Sequence, residues 1–175
     1  VMVFAKNQKA AASLSRQIKE HTTEKYYRAA SRGQGVSGTD KKEDNHDPAW
    51  HTLTDYISFD KRTNTSKITS EKDRLAKKAV LQYRVISVTP DRDSSQNECI
   101  RTEFDIKLLT GRHHQIRLQL AHIGYPLIGD TKYGKPASNN SGMGSKSGRT
   151  GGGVREQLAL CSYKIVFDHP ATGER

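Results

Sequence analysis

An α+β fold on a mixed, mostly antiparallel sheet flanked by helices is what this sequence predicts, from three observations. Residues Ile100 to Leu108 alternate strictly between apolar and polar, two other segments repeat their apolar residues at helical spacing, and the stretches between such segments are unequal in length. A doubly wound parallel sheet would need more regular crossover helices. With 175 residues, 33% of them apolar, and a mean hydropathy of −0.80, the chain can fill one core beside a large hydrophilic remainder. One domain over residues 1–175 is therefore expected, and no internal repeat divides it.

Taken in order, Val1 to Ala5 is an apolar run with no capping or turn residue before it, so the chain reads as starting inside an element. Asn7 can cap a helix over 8–20, where Ala11, Leu14 and Ile18 recur at i, i+3 and i+7 while Gln8, Lys9, Arg16, Lys19 and Glu20 take the wet side. Glu24 to Ala30 is rich in strand formers, and period two puts Lys25, Tyr27 and Ala29 on one face. From about 33 to 51 the chain is Gly, Lys, Asp, Asn and His with little to bury, a polar excursion expected to be mobile. Trp50 and Leu53 then mark the return to the core. Ala79 to Val88 reads as a strand. In the next one, Ile100, Thr102, Phe104, Ile106 and Leu108 face inward, and Arg101, Glu103, Asp105 and Lys107 form the polar side.

That strand runs into Thr110-Gly111, read as a cap and turn, and a helix with Ile116, Leu120 and Ile123 at i, i+4 and i+7. Gly124 and Pro126 stop it. A second polar excursion of Ser, Asn and Gly, carrying Lys146, Arg149 and Arg155, covers 135–155. Tyr163, Ile165 and Phe167 alternate as a closing strand, and residues 171–175 are a turn sequence, so the domain is expected to be incomplete at both ends.

Charge narrows the class of function. Twenty-nine Lys and Arg against nineteen Asp and Glu give a formal +10 and a pI near 9.7, which favours a polyanionic partner, nucleic acid ahead of anionic membrane. No apolar run approaches the roughly 20 residues needed to span a bilayer, and no signal-peptide plan is present, so a soluble intracellular protein is expected. Only Cys99 and Cys161 occur, without paired zinc spacing, and two structural thiols in a reducing compartment is the preferred reading.

The segment that carries chemistry is Leu109-Thr110-Gly111-Arg112-His113-His114-Gln115-Ile116-Arg117, continued by Gly124-Tyr125-Pro126-Leu127-Ile128-Gly129-Asp130 and Tyr133-Gly134. A strand entering a helix through Thr-Gly offers free backbone N–H groups, and Arg112 beside them suits a phosphate. The pattern alone fits a capped surface helix with ordinary charges equally well. His113, His114 and His122 do not make a zinc pair, because adjacent histidines face apart and the i, i+4 spacing is missing. Gly124 to Thr131 has phosphate-loop spacing, but Asp130 stands where the lysine is needed.

The string Thr-Gly-Arg-x-His-Gln-Ile-Arg, then Gly-x-Pro-Leu-Ile-Gly-Asp and Tyr-Gly, resembles the third signature motif of the pseudouridine synthases that act on large-subunit ribosomal RNA and related substrates. Lys25-Tyr26-Tyr27 resembles their second motif, and Leu158-Ala159-Leu160 through His169-Pro170-Ala171-Thr172-Gly173-Glu174 their C-terminal strand. The resemblance covers most of the chain outside the two excursions. Gln119 departs from it where many relatives carry a His, a difference read as touching a peripheral contact.

What the resemblance implies is isomerisation of uridine in ribosomal or transfer RNA, on the pseudouridine synthase catalytic core. An aspartate attacks a flipped nucleotide, Tyr27 lies against the base, and Arg117 pairs with the aspartate, keeping it ionised and aimed. Lys25, Arg112, His114 and Gln115 are implied as RNA contacts, with no metal or cofactor, no membrane, and a monomer acting in cytoplasm or an organelle (mitochondrion or plastid). In this family the aspartate lies in an Arg-Leu-Asp-x-x-Thr-Ser-Gly loop before an apolar strand and a helix, which Val1–Ala5 and residues 8–20 resemble. That loop does not occur in the sequence, and Asp105 and Asp130 read as structural. The chain is thus expected to begin after its nucleophile and to be inactive alone. A non-catalytic RNA-binding module is the alternative.

Overall fold

A computed structural model describes residues 1–33, 49–92, 98–134 and 156–175. The two polar excursions, at about 33–51 and 135–155, fall almost wholly outside them. Six strands form one sheet: β1 (Glu24–Gly33), β2 (His51–Asp60), β3 (Thr65–Thr69), β4 (Lys77–Arg92), β5 (Glu98–Leu108) and β6 (Leu160–Val166). Their order is β3-β2-β4-β5-β1-β6, and every pairing is antiparallel. Among the described residues there are two helices, α1 (Gln8–Lys19) and α2 (Gln115–His122).

Register decides which residues face α2. Lys25 pairs with Leu108 and that with Leu81, Tyr27 with Ile106 and that with Tyr83, Ala29 with Phe104 and that with Val85, so these sets share one face. There Ala29, Leu81, Phe104, Ile106 and Leu108 meet Ile116 and Leu120 of α2 and Leu127 beyond it, and Tyr27, Leu53 and Tyr83 pack at the margin. The alternation in β5 thus reports its buried face correctly. Its polar side does not stay in water, because Asp105 is buried on the opposite face under Arg84, Arg28 and Tyr163.

Helix α1 starts where Asn7 accepts the Ala10 N–H at 2.8 Å, yet its expected apolar stripe is covered only in part, at the half-buried Leu14. Ile18 is 52% exposed and Ala11 is exposed; the residue that buries is Gln17, whose amide exchanges two hydrogen bonds with the Asp168 backbone at 2.8 and 2.9 Å. Val1 to Ala5 is exposed and forms no strand. Trp50 does not enter the core. It lies over the Arg84 guanidinium at 4.9 Å, and only Leu53 joins the packing.

Helix α2 begins at Gln115, not at Thr110-Gly111. Thr110 Oγ accepts the Val80 N–H at 2.8 Å instead of capping a helix, and the residue before α2, His114, is left-handed with φ 54° and makes no side-chain cap. The end falls where expected, with Gly124 at φ 88° followed by a Tyr125 N–H to Leu120 O bond of 2.8 Å. Strands β2 and β3, which no alternation signalled, pair as a hairpin in which Phe59 faces Ser66.

Candidate active site

Strand β1 and helix α2 bring the expected residues onto one side of the sheet. Lys25 and Tyr27 are half-buried neighbours on β1, two residues apart and so on the same face. The Lys25 ammonium reaches the Gly111 turn, near enough that a methyl on Gly111 would lie 3.7 Å from Nζ. Gln115 is buried, and its Oε1 takes hydrogen bonds from Thr110 Oγ and the Arg112 N–H, both at 2.9 Å. It therefore shapes the 110–112 turn from below. Arg112 turns back to donate from Nε to Lys78 O at 2.9 Å.

Arg117 has a partner within the chain that sequence reading did not give it. Its Nε and Nη2 grip the two oxygens of Asp130 at 2.8 and 2.7 Å, a fork closed on both prongs. Asp130 also accepts the N–H groups of Lys132 at 2.9 Å and Tyr133 at 3.0 Å. Burial alone would push this carboxyl up, but the guanidinium and the Tyr133 and Lys132 amides outweigh it and hold the group below the usual aspartate range. The same contact raises Arg117. Nη1 has no hydrogen-bond partner among the described residues, which leaves one donor edge of a fixed guanidinium available.

Two glycines make that turn possible. A methyl on Gly134 would overlap the Asp130 carbonyl oxygen, and one on Gly129, at φ 73°, would overlap the backbone of Gln157. The Gly-Asp and Tyr-Gly parts of the motif are thus the steric conditions for holding Arg117. No periodicity could announce the Arg117–Asp130 pair, since the partners are 13 residues apart on a helix and a loop.

His114 lies beneath this pair, with Nδ1 3.1 Å from the Tyr133 hydroxyl and its ring packed edge-on to Tyr133. Burial, then electrostatic repulsion chiefly from Arg117, push it down to about 4, so it is neutral near pH 7. Gln119, read from sequence as peripheral, is fully buried under α2 and donates to Asp55 Oδ2 at 2.7 Å, while His122 Nδ1 stands 3.2 Å from Asp55 Oδ1. Among the described residues, no three His, Cys, Asp or Glu side chains gather as a metal site, and no helix is long and apolar enough to cross a membrane.

Residues 1–122 match the RNA pseudouridylate synthase family. The chain is 32% identical over 180 residues to an uncharacterized RNA pseudouridine synthase of Aquifex aeolicus, covering 99% of this chain and 46% of that protein. It is 27% identical to ribosomal large subunit pseudouridine synthase D of Zymomonas mobilis, covering all of this chain and 46% of that one, and 26% identical to tRNA pseudouridine synthase C of Salmonella typhi, covering 99% and 60%. The chain therefore spans about half the length of the curated relatives it matches. The fold resembles that of human RNA Pseudouridylate Synthase Domain Containing 1, with a TM-score of 0.62 at 24% identity over 92% of this chain and 56% of that one. Matched over more than two thirds of its length by the family's own pattern, the chain belongs to the RNA pseudouridylate synthases.

Proposed function

We propose that the protein isomerises uridine to pseudouridine in ribosomal or transfer RNA. The observation that carries the reading is the Arg117 guanidinium, aimed by Asp130 on the sheet face that also bears Tyr27, with Nη1 left over. The reaction breaks the N1–C1′ bond, turns the uracil, and joins C5 to C1′; C5 gives up its hydrogen and N1 gains one, so no cofactor or metal is required. The base has to leave its stack for this, and Tyr27 at the margin of the core offers a ring against which it can lie and a hydroxyl for the C5 proton. Arg117 Nη1 orients the nucleophilic carboxylate. Lys25, Arg112 and His114 face the RNA, and Gln115 supports the turn that carries Arg112. The nucleophile is assigned to protein outside these 175 residues, because the Arg-Leu-Asp-x-x-Thr-Ser-Gly loop does not occur in them. On this reading the protein works as an intracellular monomer, and the 175-residue chain alone binds RNA without transforming it.

Loss of the C5 hydrogen provides the assay. Full-length protein acting on RNA labelled with tritium at uridine C5 is expected to release label, while Arg117→Ala releases none and still binds RNA. Tyr27→Phe keeps the ring and loses the hydroxyl, and a drop of roughly 10²–10⁴-fold is expected. Near-normal release by Arg117→Ala removes it from this role. RNA binding without release by the wild type favours a binding module.

A further inference from the structure

On the face that carries α2, the sheet ends away from β1 in the β2–β3 hairpin, and there the rings line up. Phe59 of β2 packs on His113 with centroids 4.2 Å apart and planes 39° from parallel, and His113 packs on His114 at 3.8 Å and 36°. Three rings therefore form one row, from the hairpin to the residue just before α2. The row is held from several sides. Ser66, opposite Phe59, donates its N–H to the Tyr133 hydroxyl at 3.0 Å and its Oγ to His113 O at 2.9 Å; Lys132 Nζ donates to Asn64 O at 2.8 Å.

The outer end of the row is open, since Phe59 is 38% exposed although one of its sides rests on His113. Just beyond it the hairpin turn carries Lys61 and Arg62, both exposed and in no ion pair among the described residues. The turn's one acid, Asp60, is bent back to accept the Arg62 N–H at 2.8 Å. An exposed aromatic on a rigid stack, with unpaired cations two and three residues away, is the arrangement that takes an unpaired nucleobase and its phosphates.

We propose that Phe59 is a stacking platform for an unpaired base of the RNA and that Lys61 and Arg62 hold the adjoining phosphates, which makes the β2–β3 hairpin a second RNA contact beside Tyr27 and Arg117. The proposal rests on the reading of RNA as substrate, but not on catalysis. A base already stacked in a duplex has no free face, so the platform selects single-stranded segments or loops. Because every base has a π-face, it is tolerant of sequence.

The test uses full-length protein and a short single-stranded oligouridine containing one 2-aminopurine, whose fluorescence falls when it stacks. Phe59→Ala is expected to lose the quenching and to weaken binding roughly 5- to 100-fold, Phe59→Trp to retain both, and Phe59→Leu, which keeps an apolar contact with His113, to behave as the alanine variant. Lys61→Ala with Arg62→Ala is expected to reduce the slope of log affinity against log salt by about 1.4, the share of two single-strand phosphate contacts. Tritium release at saturating RNA is measured on the same variants, and Phe59→Leu is expected to keep its maximal rate while needing more RNA. If Phe59→Leu quenches and binds as wild type does, the platform is refuted whatever the tritium assay shows. If quenching follows the ring while wild type releases no tritium, the platform stands and the catalytic reading falls.

Discussion

On the face that carries α2, Asp130 is held by one arginine and two backbone amides inside a turn that only glycines permit. On the opposite face Asp105 meets only side chains: Arg84 at 2.9 Å, Arg28 at 3.9 Å and the Tyr163 hydroxyl at 2.7 Å. Both carboxylates are buried under arginine, but one nest is built from main chain and the other from long side chains. A main-chain nest has a single geometry, so it can aim a guanidinium. A side-chain nest adapts, and its arginines, with side chains 35% and 48% exposed, reach water on their own. Fixed direction belongs to the face with the candidate active site, and the other face contributes adhesion between β4, β5, β1 and β6.

The largest expected effect separates the nests directly. Asp130→Ala leaves Arg117 unpaired and the 130–134 turn without its acceptor, and is expected to cost about 3–5 kcal/mol in urea unfolding. Asp105→Ala frees arginines that can return to water, and about 1–3 kcal/mol is expected. Equal costs would break the contrast. A second, smaller effect tests the steric part: Gly134→Ala drives a methyl into the Asp130 carbonyl and is expected to cost about 1–3 kcal/mol, whereas Gly111→Ala meets only Lys25 Nζ at 3.7 Å and is expected to lie within about 0.5 kcal/mol of wild type.

The smallest effect is a difference in acid response. His114 is depressed from 6.5 to about 4, and Glu24, on the other face and bonded to Tyr26, Arg175 and Lys107, from 4.5 to about 2. A depressed value means that the unfolded chain takes the proton first, so each contribution is complete above the unfolded value and disappears as pH falls through the folded one. Thermal melting should therefore lose stability in two windows, 6.5 to 4 from His114 and 4.5 to 2 from Glu24, with Asp130 adding to the lower one. His114→Asn suits the left-handed backbone and cannot titrate, so it should flatten the upper window alone. A melting curve unchanged between pH 6.5 and 4.5 in both proteins would remove His114 from the account.

Local chemistry made some of this legible in sequence. Asn7 caps α1, period two marks the core face of β5 and, on β1, places Lys25 beside Tyr27, and Gly124 ends α2. What stayed hidden depends on partners far along the chain. Thr110 looks like a cap but spends its hydroxyl on Val80, thirty residues away, and α2 starts later in consequence. Strand β2 puts Asp55 on the same face as Leu53, Ile57 and Phe59, with Tyr56 on the other, so its alternation of hydropathy is broken in the middle. Arg117 is marked in the sequence only by its motif. The reason the motif includes a Gly-Asp and a Tyr-Gly, that a turn must hold the guanidinium, is visible only in three dimensions.

The close seat of Gly129 against the Gln157 backbone joins two segments that lie far apart in sequence. Gly134 is tied back to Asp130 O at 3.1 Å, Glu156 is paired with Arg32 at 2.5 Å, and the Ala159 N–H bonds Ile128 O at 2.9 Å, so the 128–134 turn and the 156–159 segment are clamped to each other and to β1. The aim of Arg117 therefore depends on the 156–159 segment as well as on its own turn, and a substitution that shifts the Gln157 backbone disturbs a guanidinium forty residues away in the chain.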